Sequence, residues 1–383
     1  MKKRAPTPRL RVLHLHSSFD PGGKEIRAVQ LMNAFGPGVA HSIVSAVPGA
    51  LGAARAVDQA IPVDYPDFPA LTGKPFPRRL QALAQAMAGH DLVLTYNWGA
   101  MDAVLAHTAF AEVLKLPPLI HHEDGFNQDE AVRLKWHRNL FRRVALFRAQ
   151  GLVVPSQRLE HIARTAWKQP PAMVKRIPNG IPVFAYGRKP KPDVLPRLIK
   201  HPGELWLGTL AGLRPVKNLP RLVRAFAPLP EQWQLVILGE GPERDAIRAE
   251  AVRLGVGHRV HLPGHVAFPA QVLGLFDLFA LSSDSEQFPI SVVEAMASSL
   301  AIAAPRVGDV EAMVAGENRR FLTPPGDEAA LADALATLAE DADLRTAIGQ
   351  ANRARAEAEY DEARMIAAYR NLYAGALGRT VFP

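Results

Sequence analysis

The chain has 383 residues, 48% of them apolar and 21% charged, which suffices for large buried cores, excludes extensive disorder and suggests two domains. It holds no cysteine, which excludes disulfides and thiolate metal sites. The net charge of +8 is uneven: residues 1–200 carry 28 Lys and Arg against 14 Asp and Glu, and the remainder 17 against 23. That asymmetry fits an anionic partner for the first half (nucleic acid, a phosphate-bearing ligand or an anionic membrane surface), with plain solubility as the alternative.

The first eight residues, Met1 to Pro8, lead into a strand without an apolar leader, and no uncharged apolar run reaches membrane-spanning length. A cytoplasmic location is expected, with peripheral contact at the inner membrane face as the further option. Apolar, β-branched runs at 11–16, 41–47, 91–96, 119–122 and 151–155 read as strands. Helical periods at 24–35, 78–88, 99–114 and 128–149 lie between them. This is the pattern of right-handed βαβ units and a doubly wound sheet.

The loop after the first strand, Ser17 to Glu25, places Gly22 and Gly23 at a helix start. Adjacent glycines let a phosphate or sugar approach the backbone, and a tight turn explains them equally well. The strand at 119–122 ends in His121-His122-Glu123-Asp124-Gly125-Phe126, a polar cluster able to hold a catalytic acid or base or to orient a hydroxyl. Its ligand types would suit a metal, but adjacent strand residues point to opposite faces, so His121 and His122 do not share one ion and no metal is expected. The next helix, 129–149, carries Arg133, Lys135, Arg138, Arg142, Arg143 and Arg148 with Trp136, Leu140, Phe141, Val144 and Phe147. A core-facing apolar face with a solvated basic face is the favoured reading, and contact with anionic lipid the other.

Prolines 182, 190, 192, 196 and 202 break regular structure between 178 and 202 and mark a boundary. A second alternating series follows, with strands at 205–210, 234–238, 259–262, 278–281 and 301–304 and an Ala-rich helical tail over 328–377. The expected organisation is an N-terminal Rossmann-like domain (1–180), a linker (181–203), a C-terminal Rossmann-like domain (204–360) and a terminal helix (361–383) packing back on the first domain. Ligands of open α/β sheets bind beyond the carboxyl ends of the strands, so two such domains would face each other across a cleft.

Four loops after strands in the second half carry polar chemistry. Gly212 precedes Arg214 and Lys217, two cations able to neutralise a departing diphosphate, although surface cations are ordinary. Gly239-Glu240-Gly241-Pro242 and Gly264-His265-Val266 are glycine turns, and a plain turn accounts for either. The stretch from Ser283 to Ala297 sets Glu286 before a helix opened near Phe288, Pro289 and Ile290, and Glu294 eight positions on. Two acids flanking a helix N-terminus can accept hydrogen bonds from the vicinal hydroxyls of a sugar and a ribose while N–H groups face an anion. The dipole alone would also favour acids there.

Together, Gly22-Gly23, Ile177-Pro178-Asn179-Gly180, Arg214 with Lys217, Gly239-Glu240-Gly241-Pro242 and the Glu286/Glu294 pair resemble the group 1 (family 4) retaining glycosyltransferases of the GT-B fold, in order and spacing over nearly the whole chain. The resemblance implies a nucleotide-sugar donor, a sugar or lipid-linked acceptor, no cofactor and no metal. It also implies roles: Glu286 on the donor sugar, Glu294 on the ribose, Arg214 and Lys217 on the diphosphate, Gly22-Gly23 at the phosphates or acceptor, and the loop after Gly264 along the base. Many relatives have a histidine directly before the glycine where this chain has Asp124, so that role falls to Asp124 or to His122. The rival readings are an epimerase or phosphorylase of the same fold, or a basic nucleic-acid-binding protein. No compact recognition motif supports the last, and no nucleic acid is expected.

Overall fold

The computed structural model describes residues 9–126, 130 and 134–383, which fall into two compact units. The first comprises the chain up to Pro178 together with Met365–Pro383, and the second is Asn179–Arg364. In the first unit the elements run β1 (Leu10–His16), α1 (Gly23–Phe35), β2 (Val39–Ser45), β3 (Val63–Asp64), α2 (Pro77–Met87), β4 (Leu92–Tyr96) and α3 (Met101–Leu114). They continue with β5 (Leu119–His122), α4 (Trp136–Ala145), β6 (Gly151–Val154), α5 (Gln157–Thr165) and β7 (Val174–Arg176). All seven strands are parallel, in the order β3-β2-β1-β4-β5-β6-β7.

The second unit holds β8 (Leu205–Leu210), α6 (Leu219–Phe226), β9 (Trp233–Leu238), α7 (Arg244–Arg253), β10 (Val260–Gly264), β11 (Leu278–Ala280), α8 (Ile290–Ala297) and β12 (Ile302–Pro305). Then come α9 (Val310–Met313), β13 (Leu322–Thr323), α10 (Glu328–Glu340) and α11 (Ala342–Glu359), and α12 (Glu362–Ala376) returns to the first unit. Its sheet is also parallel, ordered β10-β9-β8-β11-β12-β13.

Each sheet is covered on both faces, which is why its central strands read as unbroken apolar runs rather than as alternating ones. Leu13, Leu15 and Val93 enter one core of the first unit, and Leu10, Val12 and Leu94 the other. Trp206, Val236 and Phe279 face one side of the second sheet, and Leu207, Leu235 and Leu278 the opposite side. The proline-rich stretch is no free tether: Ile181, Val183, Tyr186 and Leu195 belong to the second unit's core.

The helical tail is divided into three helices. Asp327 caps α10 by accepting from the Ala330 N–H at 2.9 Å, Asp341 breaks the chain after α10 and caps α11 by accepting from the Leu344 N–H at 2.8 Å, and a second break falls at Tyr360 and Asp361, before α12. The helix expected over 128–149 runs from Trp136 to Ala145; Gln128, Asp129 and Arg133 lie outside the described residues.

Candidate functional site

In the second unit the loops after β8 and β11 are stitched together. The Asp284 N–H donates to the Val216 carbonyl at 2.9 Å and the Ser282 hydroxyl to the Lys217 carbonyl at 2.9 Å. These bonds bring side chains 69 positions apart together: Lys217 Nζ lies 2.5 Å from Glu286 Oε1, which also accepts from the Ser283 hydroxyl at 2.7 Å. Both are largely shielded yet reachable from solvent. Arg214 is exposed, beside Gly212, and has no ion-pair partner among the described residues.

Glu294 sits differently. It lies on the inward side of α8, where its Oε1 accepts from the Tyr186 hydroxyl at 2.8 Å. Burial disfavours its charged form and pushes the carboxyl pKa up to about 7; burial and the neighbouring carboxylate raise Tyr186 as well. Tyr186 had no sequence signal, since it falls in the segment read as linker.

The glycines serve loop-to-loop packing. A Cβ on Gly239, whose φ is +144°, would stand 1.9 Å from the Ala211 carbonyl oxygen, and one on Gly241 2.4 Å from that of Leu213. Gly308, which sequence reasoning missed, has a φ of +58°, and a Cβ there would meet the carbonyl oxygens of Glu286 and Gln287 at 2.6 Å. It thus seats the Glu286 loop, which the Asp309 N–H also holds through the Gln287 carbonyl at 3.0 Å. Of the other expected donor contacts, Pro289 is the buried N-cap of α8, Phe288, Ile290 and Val266 pack partly against the core, and His265 is exposed.

The first unit gathers a second charged cluster at the carboxyl ends of its strands. Gly22 caps α1, whose Gly23 and Lys24 open the helix, and Arg27 one turn on is buried in a two-pronged pair with Asp124, Nη2 to Oδ2 at 2.9 Å. The Asp124 N–H donates to the Asn97 side chain at 2.8 Å. Lys24 pairs with Glu25, and burial lowers its pKa to about 8. His122 is closed off: its Nδ1 lies 3.2 Å from the Thr95 carbonyl and its Nε2 3.0 Å from the Tyr373 hydroxyl. Burial, with Arg27 nearby, holds its pKa well below the usual value, so the neutral ring donates from Nδ1 and accepts from Tyr373 at Nε2. His121 points the other way, to the Thr95 hydroxyl at 2.8 Å. Among the described residues no three His, Asp or Glu come together as ligands for an ion.

Residues 197–355 match the family model of glycosyl transferases group 1. N-acetyl-alpha-D-glucosaminyl L-malate synthase of Bacillus anthracis is 26% identical over 43% of this chain and 44% of its own. Phosphatidyl-myo-inositol mannosyltransferase of Mycobacterium leprae is 32% identical over 44% and 45%. The chain therefore spans less than half the length of either of these relatives. Among solved structures, Anabaena HepE in complex with UDP superposes with a TM-score of 0.79 at 22% identity, covering 96% of this chain and all (100%) of that one. Sucrose-phosphate synthase from Thermosynechococcus elongatus gives 0.76 at 20%, covering 96% and 99%. Both sheets of the GT-B fold are in place, and residues 197–355, less than half of the chain, are similar to the group 1 glycosyl transferases.

Proposed function

We propose that this chain is a retaining glycosyltransferase that moves a sugar from a nucleoside diphosphate donor to a hydroxyl of a sugar or lipid-linked acceptor in glycan synthesis. The observation that carries the reading is the Lys217–Glu286 pair, a cation and a carboxylate held together where α6 and α8 begin. When donor binds, Lys217 and Arg214 turn to the diphosphate and Glu286 accepts from sugar hydroxyls. The bond from the anomeric carbon to the phosphate oxygen breaks, the acceptor oxygen bonds that carbon on the same face, and the acceptor proton leaves with the diphosphate. Two cations supply the charge that a divalent ion supplies elsewhere, so chelators leave the rate unchanged. Glu294 accepts from the ribose through the oxygen that Tyr186 does not occupy, and Gly264, His265 and Val266 line the base.

At the acceptor side the reading favours Asp124, whose side chain keeps 13% exposure beside Arg27, over His122, which is fully buried. HepE was solved with UDP and with UDP-glucose, which supports a nucleotide-sugar donor here. The test is release of nucleoside diphosphate from a panel of nucleotide sugars, with the anomeric configuration of the product read by NMR. Acceptor-dependent release with retained configuration is expected. Interconversion of the sugar without an acceptor would make the protein an epimerase, and phosphate-dependent cleavage a phosphorylase.

A further inference from the structure

α4 wears its amphipathic pattern inside out. A helix packed on a sheet normally turns its apolar stripe to the core and its cations to water. Here Trp136, Leu140 and Val144 on α4, and Phe147 in the 3-10 turn that continues it, are 75%, 52%, 51% and 77% exposed. Their spacing of four, four and three keeps them on one line about 16 Å long. Arg142, by contrast, is buried.

The inward face explains how the inversion is tolerated. Arg142 lies between Glu123 and Glu130, with a nitrogen 3.2 Å from a carboxylate oxygen of each, and its guanidinium is 4.8, 5.4 and 5.0 Å from the rings of Trp98, Phe126 and Trp167. Arg138 pairs with Glu130 and stacks 4.8 Å from Trp98, and Phe141 packs on the same ring. Acids and aromatic faces thus hold the arginines inside, where the charge is satisfied. The helix cannot roll its apolar line inward without unpairing them.

Along the exposed line itself, the described charges are cations. Residues 134–150 include five Lys and Arg and no Asp or Glu. Arg143 and Arg148 are exposed beside the stripe, and the end of α3 adds Lys115 and the 80%-exposed Val113. The acid at this end, Glu112, is paired with Arg148. A contiguous apolar line fringed by cations matches the boundary between anionic headgroups and acyl chains.

We infer that this face of the first unit docks on an anionic lipid surface. Trp136, Leu140, Val144 and Phe147 enter the headgroup–acyl boundary, and Arg143, Arg148 and Lys115 remain at the phosphates. The chain attaches without a spanning segment: among the described residues no helix is long and apolar enough to cross a membrane.

The experiment is flotation of the full chain with vesicles of phosphatidylcholine alone or mixed with phosphatidylglycerol, with no sugar donor present, so the result is independent of the transfer reaction. Binding is expected only to the anionic vesicles, weakening as salt is added. The Leu140→Glu, Val144→Glu double variant should lose it, and Arg143→Glu should weaken it at least about tenfold. All three positions are exposed, and an unchanged melting temperature shows that the variants fold. Wild-type protein that ignores anionic vesicles, or a double variant that binds them as wild type does, overturns the inference. So does concentration-dependent self-association, abolished by the double variant, in a protein that binds no lipid.

Discussion

The Tyr186 hydroxyl donates to Glu294 Oε1 at 2.8 Å across 108 positions of sequence, inside the core of the second unit. One oxygen of a buried acid is thereby fixed from a stretch whose prolines disguise it. Glu294 titrates near 4.5 when unfolded and near 7 when folded. Folded protein binds the proton more tightly, so the stabilisation from protonated Glu294 is full below pH 4.5 and is lost as pH rises through about 7. Glu294→Gln, always neutral, should exceed the wild type in stability at about pH 8 by up to roughly 3 kcal/mol and match it near pH 5. Urea unfolding at both pH values decides it; a variant less stable at the higher pH would refute the assignment.

Nucleotide affinity should follow the same ionisation. A carboxylate accepts from ribose hydroxyls better than a carboxylic acid does, so affinity for nucleoside diphosphate should rise as pH passes through about 7. The Tyr186 hydrogen bond favours the charged form, so Tyr186→Phe should move that midpoint upward. Calorimetric titration across pH reads it, and a midpoint left in place would show that Tyr186 is only packing.

Lys217→Ala should lower turnover by about a hundredfold or more, as loss of a transition-state donor does elsewhere. Stability should fall as well, because Glu286, largely shielded, is left without its counter-charge. Single-turnover release of nucleoside diphosphate measures the first effect and thermal melting the second. Near-normal turnover would remove Lys217 from the diphosphate.

Gly308→Ala places a methyl group 2.6 Å from two carbonyl oxygens at a φ of +58°. The Glu286 loop must move, and the expected result is about 1–3 kcal/mol of lost stability together with weaker donor binding. Binding unchanged in a folded variant would separate this loop from the donor.

Asp124→Asn leaves Arg27 buried without its counter-charge. A loss of about 3–5 kcal/mol is expected, and Arg27→Met in the same chain should recover much of it. A double-mutant cycle by urea unfolding gives the coupling, and additive losses would show that the two do not act as a pair.

The central strands were legible because a sheet covered on both faces demands continuous apolar runs, and the reading over 119–122 and 205–210 matches β5 and β8 residue for residue. The short edge strands β3, β7 and β13 were not, since two or three residues carry no period. In the tail, composition gave the helical content, but the break between α10 and α11 depended on one capping aspartate, Asp341.

Local sequence thus determined the parallel α/β class, the loops that carry polar chemistry, and which residues of α4 share a face. Tertiary structure alone decided which face of α4 is buried, that Lys217 meets Glu286, that Tyr186 meets Glu294 and that Arg27 meets Asp124. The reason is physical: periodicity and propensity act within a few residues, whereas an ion pair or a buried hydrogen bond is chosen by whichever distant segment the sheet order brings alongside.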